Sequence, residues 1–565
     1  MCGILGIWSK GPSSDQTEFD GLFHTLAHRG PDESWSSKFH NFQYGATRLA
    51  IVDAGVSLSD DSESETTDVL FNGEIWNYRD LAQRYGVEPV SERRVIRELY
   101  ERVGLEFVCH LDGVFAAVIV DKARQQIHVC RDPVGVKPAF WWTDSSRRAF
   151  IFSSDVKTIC QWKRFNPEVN EEYLINEHVV GFSDYEENLF NGIRQIKPGS
   201  CLTLSIRGDS LGTTVSEYES LLARQEPVGW SEKCHLDVLQ KAVWDQYKHC
   251  DRLPIGLLLS GGVDSSLLLF IARSMGLREI VCFYCGSDTS PDYYWANRVS
   301  REAGYEIRNF NLSASQVWTE LASSCYYMSG TNSLLPHLCR KIKTISPEIR
   351  VLWSGEGADE LFGGYPCHGN ATGLLQSWQE KIARTKRRTA LANRVEQIWA
   401  MRRDELNLRM EIFKLYREEQ LVNAHLVAHD YAGMAASVEI RLPFLDLHNV
   451  ALARCIPATL VSGSLRKEVL KNLLRSLSGI SDDSFYNRTK IGLLHGYIEV
   501  VYELRQLAQL LEQQPGWADM QTAYCKGPFQ RIWYQLVHRV FAGPNRCGLG
   551  AAYQGGDWQE EEVAN

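Results

Sequence analysis

The chain begins Met1-Cys2-Gly3-Ile4. Were Met1 removed, Cys2 would carry a thiol and a free α-amino group on one residue. An amine titrating near ~8 is matched to take a proton from a thiol of pKa ~8.5, so nucleophile and base would come together. The other reading of Cys2 is a small apolar residue opening a strand, and the stretch by itself leaves both standing. A second stretch, IGLLLSGGVDSSLLLFIA, runs an apolar strand from Ile255 to Leu259 into Ser260, Gly261 and Gly262, with a helix following from about Ser265. Glycines at a strand-to-helix turn let backbone N–H groups approach an anion; the helix N-terminus and the hydroxyls of Ser265 and Ser266 add to the attraction. Asp264 inside such a loop would repel a phosphate unless a divalent cation stood between them, so the loop implies Mg2+. It is not a Walker A loop, because the dipeptide Gly-Lys occurs nowhere in the chain. A third stretch, VLWSGEGADELFGGY, gathers Glu356, Asp359 and Glu360 at the end of another apolar strand. Carboxylates so close repel one another, which suits one metal ligand and one base better than a structural loop.

The elements that must position these residues differ between the two halves of the chain. Residues 2–206 hold short strand-like runs (CGILGIW, FQYGAT, DVLFNGE, GVFAAVIVD, QIHVCRD, AFIFSSD) broken by Gly, Asp and Pro. One helical stretch, ERRVIRELYERVG, sets Val95, Ile96, Leu99 and Val103 on a single face, which predicts stacked sheets with helices outside. Polarity rises and small residues collect over 207–230, where a linker is expected. From Ser231 longer helices alternate with the apolar strands IGLLLS, EIVCFYC and IRVLWS, the pattern of a parallel α/β sheet, and a second domain is expected over 231–545. Residues 546–565, ending DWQEEEVAN, are expected to form a mobile acidic tail.

Composition narrows the function classes. The chain is 44% hydrophobic and 23% charged with a mean hydropathy of -0.26, an ordinary globular balance. No apolar run reaches the ~18 residues of a spanning helix, and no secretory signal opens the sequence, so a cytoplasmic protein without a membrane partner is expected. A net charge of -10 argues against nucleic acid as a partner. The one basic stretch, 381–403, has apolar positions at helical spacing and reads as a solvated helix face. Fifteen cysteines are scattered and expected as reduced thiols; Cys282 and Cys285 lie in the β-branched run IVCFYC and read as buried strand. His425 and His429 are spaced i, i+4, yet Leu426 stands where a metalloprotease helix carries Glu, so both are expected to be structural.

Nine ordered motifs then carry a resemblance: HRGPD (28–32), RLAIVD (48–53), NGEIWNY (72–78), LDGVFA, RDPVGVKP, SGGVDSS, SGEGADELFGGY, VEIRLPFLD (438–446) and RTK (488–490). The N-terminal half resembles class II glutamine amidotransferases, and the chain to about Gly496 resembles glutamine-hydrolysing asparagine synthetases. The resemblance implies an α/β protein: an αββα N-terminal-nucleophile hydrolase sandwich, then a PP-loop ATP pyrophosphatase domain with a helical extension. It implies Cys2 as the nucleophile on the glutamine amide, Asn72 and Gly73 as oxyanion-hole donors, and Arg48, Glu74 and Glu92 as further glutamine contacts. Glu92 replaces the family's usual Asp, keeping the charge on a longer arm. ATP is expected at Leu257, Ser260, Gly261, Gly262, Asp264, Ser265, Ser266, Ser354, Gly355, Lys467 and Lys490. Mg2+ is expected between Asp264 and Asp359, and Glu356 as a base or ammonia-positioning group.

The implied reaction adenylates a carboxylate with ATP, releases pyrophosphate, and displaces AMP with ammonia from glutamine. Aspartate is the expected acceptor, supported by SPD (290–292) and RKIK (340–343). A different carboxylic acid is the alternative, because TNSLLPHL (331–338) and Tyr431 depart from the family's acceptor region. A non-catalytic scaffold would have no need to keep Cys2, Asn72, Asp264 and Glu356 together, and self-association as a homodimer is open.

Overall fold

The computed structural model describes residues 2–10, 16–53, 55–59, 64–184, 186–208, 210–224, 229–251, 253–311, 335–365, 370–384, 389–401, 404–461 and 466–488. Lys490, Thr331 and the expected acidic tail lie outside these residues.

The first half builds two antiparallel sheets. One has the order β2 (Glu33–Phe39), β3 (Phe42–Arg48), β1 (Cys2–Ser9), β8 (Ala149–Ser153), β7 (Phe140–Thr143) and β9 (Arg194–Gln195). The other runs β11 (Ser210–Glu217), β10 (Ser200–Arg207), β6 (Gln126–Arg131), β5 (Gly113–Asp121) and β4 (Thr67–Ile75). Side-chain alternation sorts each strand onto two cores. Ile4 and Trp8 of β1 and Leu70 of β4 meet between the sheets. Leu5 and Ile7 face outward against the helix Gln16–His24, while Val69 and Phe71 face outward against the helices Tyr78–Tyr85 and Glu92–Val103. The expected stripe is there: Val95, Ile96 and Leu99 are buried, and Ser91 caps the helix by accepting from Arg94 N at 3.2 Å. The result is an αββα sandwich.

Two expectations need correction. Residues 210–217, assigned to the linker, form β11, which pairs with β10 from Ser200↔Glu217 to Arg207↔Ser210. As an edge strand it leaves most of its residues exposed, so its composition imitates a linker. The other correction concerns the thiols. Cys130 and Cys201 are directly opposed on β6 and β10, with Cα atoms 4.1 Å apart, and are joined in a disulfide.

The second half carries a parallel sheet in the order β14 (Glu306–Phe310), β13 (Ile280–Cys285), β12 (Ile255–Leu258), β15 (Val351–Trp353) and β16 (Glu439–Arg441). Helices including Glu232–Lys248, Val263–Ser274, Pro291–Ala303 and Glu468–Ser478 complete one continuous core. The Cys282/Cys285 run is the buried strand β13. A helical extension from Ala371 to Met434 adds a separate cluster around Leu375, Trp378, Val395 and Ile412, and contains a π-helical segment, Tyr416–Leu426. The sheet order reverses at β12: the chain moves outward to β13 and β14, then returns to β15 on the other side. Ligands of such sheets bind beyond the carboxyl ends of the strands at this reversal. Both glycine-rich loops, 260–262 and 354–357, emerge there.

Candidate active sites

Strand parity brings together the residues expected to act on glutamine. Cys2, Asn72 and Glu74 share the parity of the inward-facing Ile4 and Leu70, so they collect at one end of the inter-sheet layer. Cys2 is buried, and its backbone N–H donates to Asn72 Oδ1 at 3.0 Å. That bond turns Asn72 Nδ2 the other way, where it is buried and donates to no described residue. A spare donor beside a sulfur nucleophile is what an oxyanion requires. Gly73 follows at φ +152°, and a Cβ there would stand 2.0 Å from Val114 O, so only glycine permits this approach of β4 to β5.

Glu74 and Glu92 form a buried acidic pair. Glu92 accepts from Ile75 N at 2.5 Å, and its carboxyl is held well above the usual range by burial and then by Glu74. Glu74 is pushed up to about 7 by burial; Arg441 pulls it back and Glu439 adds to the rise. Arg441 stands beside Glu74, so an ammonium entering beside Glu92 would add a positive charge on the other side of the pair. Arg48 is placed differently from the expected carboxylate receptor: Nη2 donates to Asp53 O at 2.6 Å and Val52 O at 3.0 Å, and Nη1 donates to Val56 O. Its fork therefore folds the 52–56 loop, and it reaches Glu33 at 3.5 Å.

At the other end, the loop after β12 is braced from a distant part of the chain. Gly261 has φ +69°, and a Cβ on it would meet Asp292 O at 2.6 Å and Ala296 N at 2.7 Å. Arg488 of RTK locks the same point, donating to Gly261 O at 2.6 Å and pairing with Asp292 of SPD. Ser260 Oγ and Ser265 Oγ are 3.2 Å apart, while Ser266 Oγ is buried without a described partner. Leu257, expected to offer backbone to the adenine, is paired with Cys282 and Trp353 and lies inside the sheet. In the second loop Ser354 Oγ accepts from Glu356 N at 3.3 Å, and a Cβ on Gly355 would approach Asp264 Cβ to 3.0 Å. Lys467 Nζ lies 2.6 Å from Asp264 Oδ2 and 2.6 Å from Asp359 Oδ1, so one cation already spans the two carboxylates proposed for Mg2+. Asp264 Oδ1 remains buried without a hydrogen-bond partner among the described residues, a donor set that fits a hard divalent cation.

The histidines expected to be structural are part of this site. His425 Nδ1 is 2.8 Å from Glu356 Oε1, and His429 Nε2 is 3.3 Å from Glu356 Oε2. Burial acts to lower His425, but Glu356 beside it raises the imidazole to about 9; burial keeps His429 low. The i, i+4 spacing was visible in sequence, whereas its meeting with a carboxylate 69 residues earlier was not. Tyr431 by contrast belongs to the buried cluster that includes Leu5, Phe19 and Leu26 of the first half, so this departure lies at the domain boundary.

That boundary is heavily charged. Arg441 of VEIRLPFLD is buried, 3.2 Å from Glu74 Oε1 and 3.1 Å from Glu439 Oε2, and Lys137 Nζ lies 3.5 Å from Glu439. Arg29 of HRGPD reaches Asp430 at 2.7 Å, and Asp32 pairs with Arg350. Motifs that carry the family resemblance thus hold the two domains in register.

Residues 1–218 match the glutamine amidotransferase domain model, and residues 235–520 match the asparagine synthase model. Asparagine synthetase [glutamine-hydrolyzing] 3 of Bacillus subtilis (strain 168) is 27% identical, covering 87% of this chain and 86% of its own. Asparagine synthetase [glutamine-hydrolyzing] 2 of the same organism is 26% identical over 91% of this chain and 74% of its own. Asparagine synthetase [glutamine-hydrolyzing] 1 of Arabidopsis thaliana is 28% identical over 68% and 64%.

Proposed function

The chain belongs to the asparagine synthase family, with a glutamine amidotransferase domain ahead of the synthase domain, and we propose that it makes asparagine from aspartate, ATP and glutamine. The observation that carries this reading is the coexistence of two complementary ends in one chain: Cys2 beside a spare Asn72 donor, and Asp264 with Asp359 around one cation at the sheet reversal. In the first end the Cys2 sulfur attacks the side-chain amide carbon of glutamine. Asn72 Nδ2 and the Gly73 N–H stabilise the oxyanion, ammonia leaves, and water hydrolyses the thioester to glutamate. Glu92 and Glu74 neutralise the substrate ammonium.

In the second end the loops 260–266 and 354–355 hold the nucleotide phosphates. Asp264 and Asp359 would hold Mg2+, which neutralises phosphate charge when bound. Lys467 faces the same phosphates, Arg488 keeps the loop closed, and Lys490 is expected to join them. The acceptor carboxylate oxygen attacks the α-phosphorus, pyrophosphate leaves, and ammonia then displaces AMP from the acyl carbon. Glu356 faces the incoming nitrogen. Exclusion of water matters because ammonia that escapes becomes ammonium, which has no lone pair to donate.

Pyrophosphate release from ATP that requires both aspartate and glutamine, with glutamate formed in equal amount, is the expected assay result. Cys2→Ala should lose the glutamine-dependent reaction and retain synthesis from ammonium salts. Absence of aspartate-dependent pyrophosphate would defeat the reading. A second reading, amidation of another carboxylic acid, is favoured by TNSLLPHL (331–338), which departs from the family's acceptor region. ATP–pyrophosphate exchange across a panel of acids separates the two.

A further inference from the structure

We propose that Glu356, Glu360 and His425 form a binding site for a divalent first-row transition-metal ion, with His429 as the outer partner that orients Glu356. The site is distinct from the Asp264/Asp359 pair expected to serve the nucleotide.

Geometry is the first argument. One ligand atom from each of the three residues lies within 4.8 Å of the others. His425 Nδ1 is 2.8 Å from Glu356 Oε1 and 3.9 Å from Glu360 Oε1. Atoms gathered this closely need only small side-chain shifts to share one ion at bonds of about 2.0–2.2 Å. The ligands come from two elements that pack together, the helix Ala358–Phe362 with its preceding turn and the π-helical segment Tyr416–Leu426. A mixed imidazole and carboxylate set suits Zn2+, Co2+ or Mn2+ better than Mg2+ or Ca2+.

Unfilled valence is the second. Glu360 is fully buried; Oε1, the oxygen nearer His425, accepts from Tyr365 OH, while Oε2 has no hydrogen-bond partner among the described residues and is the one left for a cation. Buried carboxylate oxygens without a donor are costly unless a cation joins them. Glu356, Glu360 and the neighbouring Asp359 gather three carboxyl groups, with Lys467 beside Asp359 and His425 beside Glu356.

Tautomer logic is the third. His429 Nδ1 is 2.9 Å from the His425 carbonyl oxygen, so Nδ1 must carry a hydrogen and donate. In the neutral ring Nε2 then presents a lone pair to Glu356 Oε2 at 3.3 Å. Two facing lone pairs hold nothing, so His429 orients Glu356 as the imidazolium, donating Nε2–H to Oε2 and leaving Oε1 for the ion. Three protein ligands leave open positions that a carboxylate or carbonyl oxygen of an acceptor can fill. That last consequence, unlike metal binding itself, rests on the ligase reading above. An ion there makes Glu356 a ligand instead of a free base.

The test uses the full chain, stripped with chelator and free of nucleotide, titrated with Co2+. Visible d–d absorption saturating at one ion per chain is expected, with no intense near-ultraviolet thiolate band and with Zn2+ displacing the signal. His425→Ala and Glu360→Gln should each abolish it, His429→Ala should weaken binding by ~10–100-fold, and Asp264→Asn should leave it intact. Cys2-dependent glutamine hydrolysis in each variant reports folding independently of the synthetase end. Absence of saturable absorption, or a signal that survives both His425→Ala and Glu360→Gln in folded protein, would overturn the proposal. Loss of pyrophosphate release with unchanged Co2+ binding would instead count against the ligase reading.

Discussion

Glu74 offers the most quantitative check on the charge balance at the domain boundary. Its carboxyl is fully buried and pushed from 4.5 to about 7, chiefly by burial, even with Arg441 beside it. An acid whose folded value lies above its unfolded one costs the fold stability wherever it must ionise. The cost is absent below about pH 4.5, where both states hold the proton, grows as pH rises toward 7, and is complete above that. Carried from 4.5 to about 7, it amounts to about 3 kcal/mol at pH 8. Glu74→Gln keeps the shape and removes the ionisation, so it should stabilise the protein by about 3 kcal/mol at pH 8 and by almost nothing at pH 4.5. The attraction to Arg441 is already contained in that figure, and Arg441 retains Glu439 at 3.1 Å. Urea unfolding of both proteins at a series of pH values, followed by tryptophan fluorescence, reads the difference; each phase is fitted separately if the domains unfold apart. The same variant should lose glutamine hydrolysis. A stability difference that does not change with pH, or a variant weaker than its parent at pH 8, would refute the account of Glu74 as a strained buried acid.

Other expectations follow from single contacts. Asn72→Ala removes the spare donor beside Cys2 and should lower kcat for glutamine hydrolysis by ~100–1000-fold with a smaller change in KM, measured as glutamate release. Lys467→Met leaves Asp264 and Asp359 facing each other without the shared ammonium; pyrophosphate release should fall while glutaminase turnover persists. Gly261→Ala forces a side chain into the left-handed region and against Asp292 O, so the apparent KM for ATP should rise and the thermal midpoint should drop.

Local rules made much of this protein legible in its sequence. The SGGVDSS loop carries its own logic, because a strand, two glycines and a helix N-terminus are contiguous, and the structure places it at the sheet reversal as such loops require. The stripe Val95, Ile96 and Leu99 is likewise a local periodicity, and its burial follows directly. β11 and β16 escaped notice because an edge strand with polar faces and a strand of three residues leave too short a pattern. The nine motifs sufficed for the family, but not for what each residue touches.

What sequence order alone determined was therefore the make-up of the parts: a thiol at position 2, a glycine- and serine-rich strand-to-helix loop and a carboxylate-rich loop. What only tertiary structure decided was which parts meet. Arg441 answers Glu74 across the domains, Arg488 closes on Gly261, Lys467 spans two aspartates, and His425 and His429 leave their expected structural role to surround Glu356. The physical reason is range. Hydrogen-bond donors, helix termini and hydrophobic alternation act over a few residues and leave a trace in any short window, whereas a buried charge is balanced by whatever group packing brings within about 4 Å, however far away along the chain.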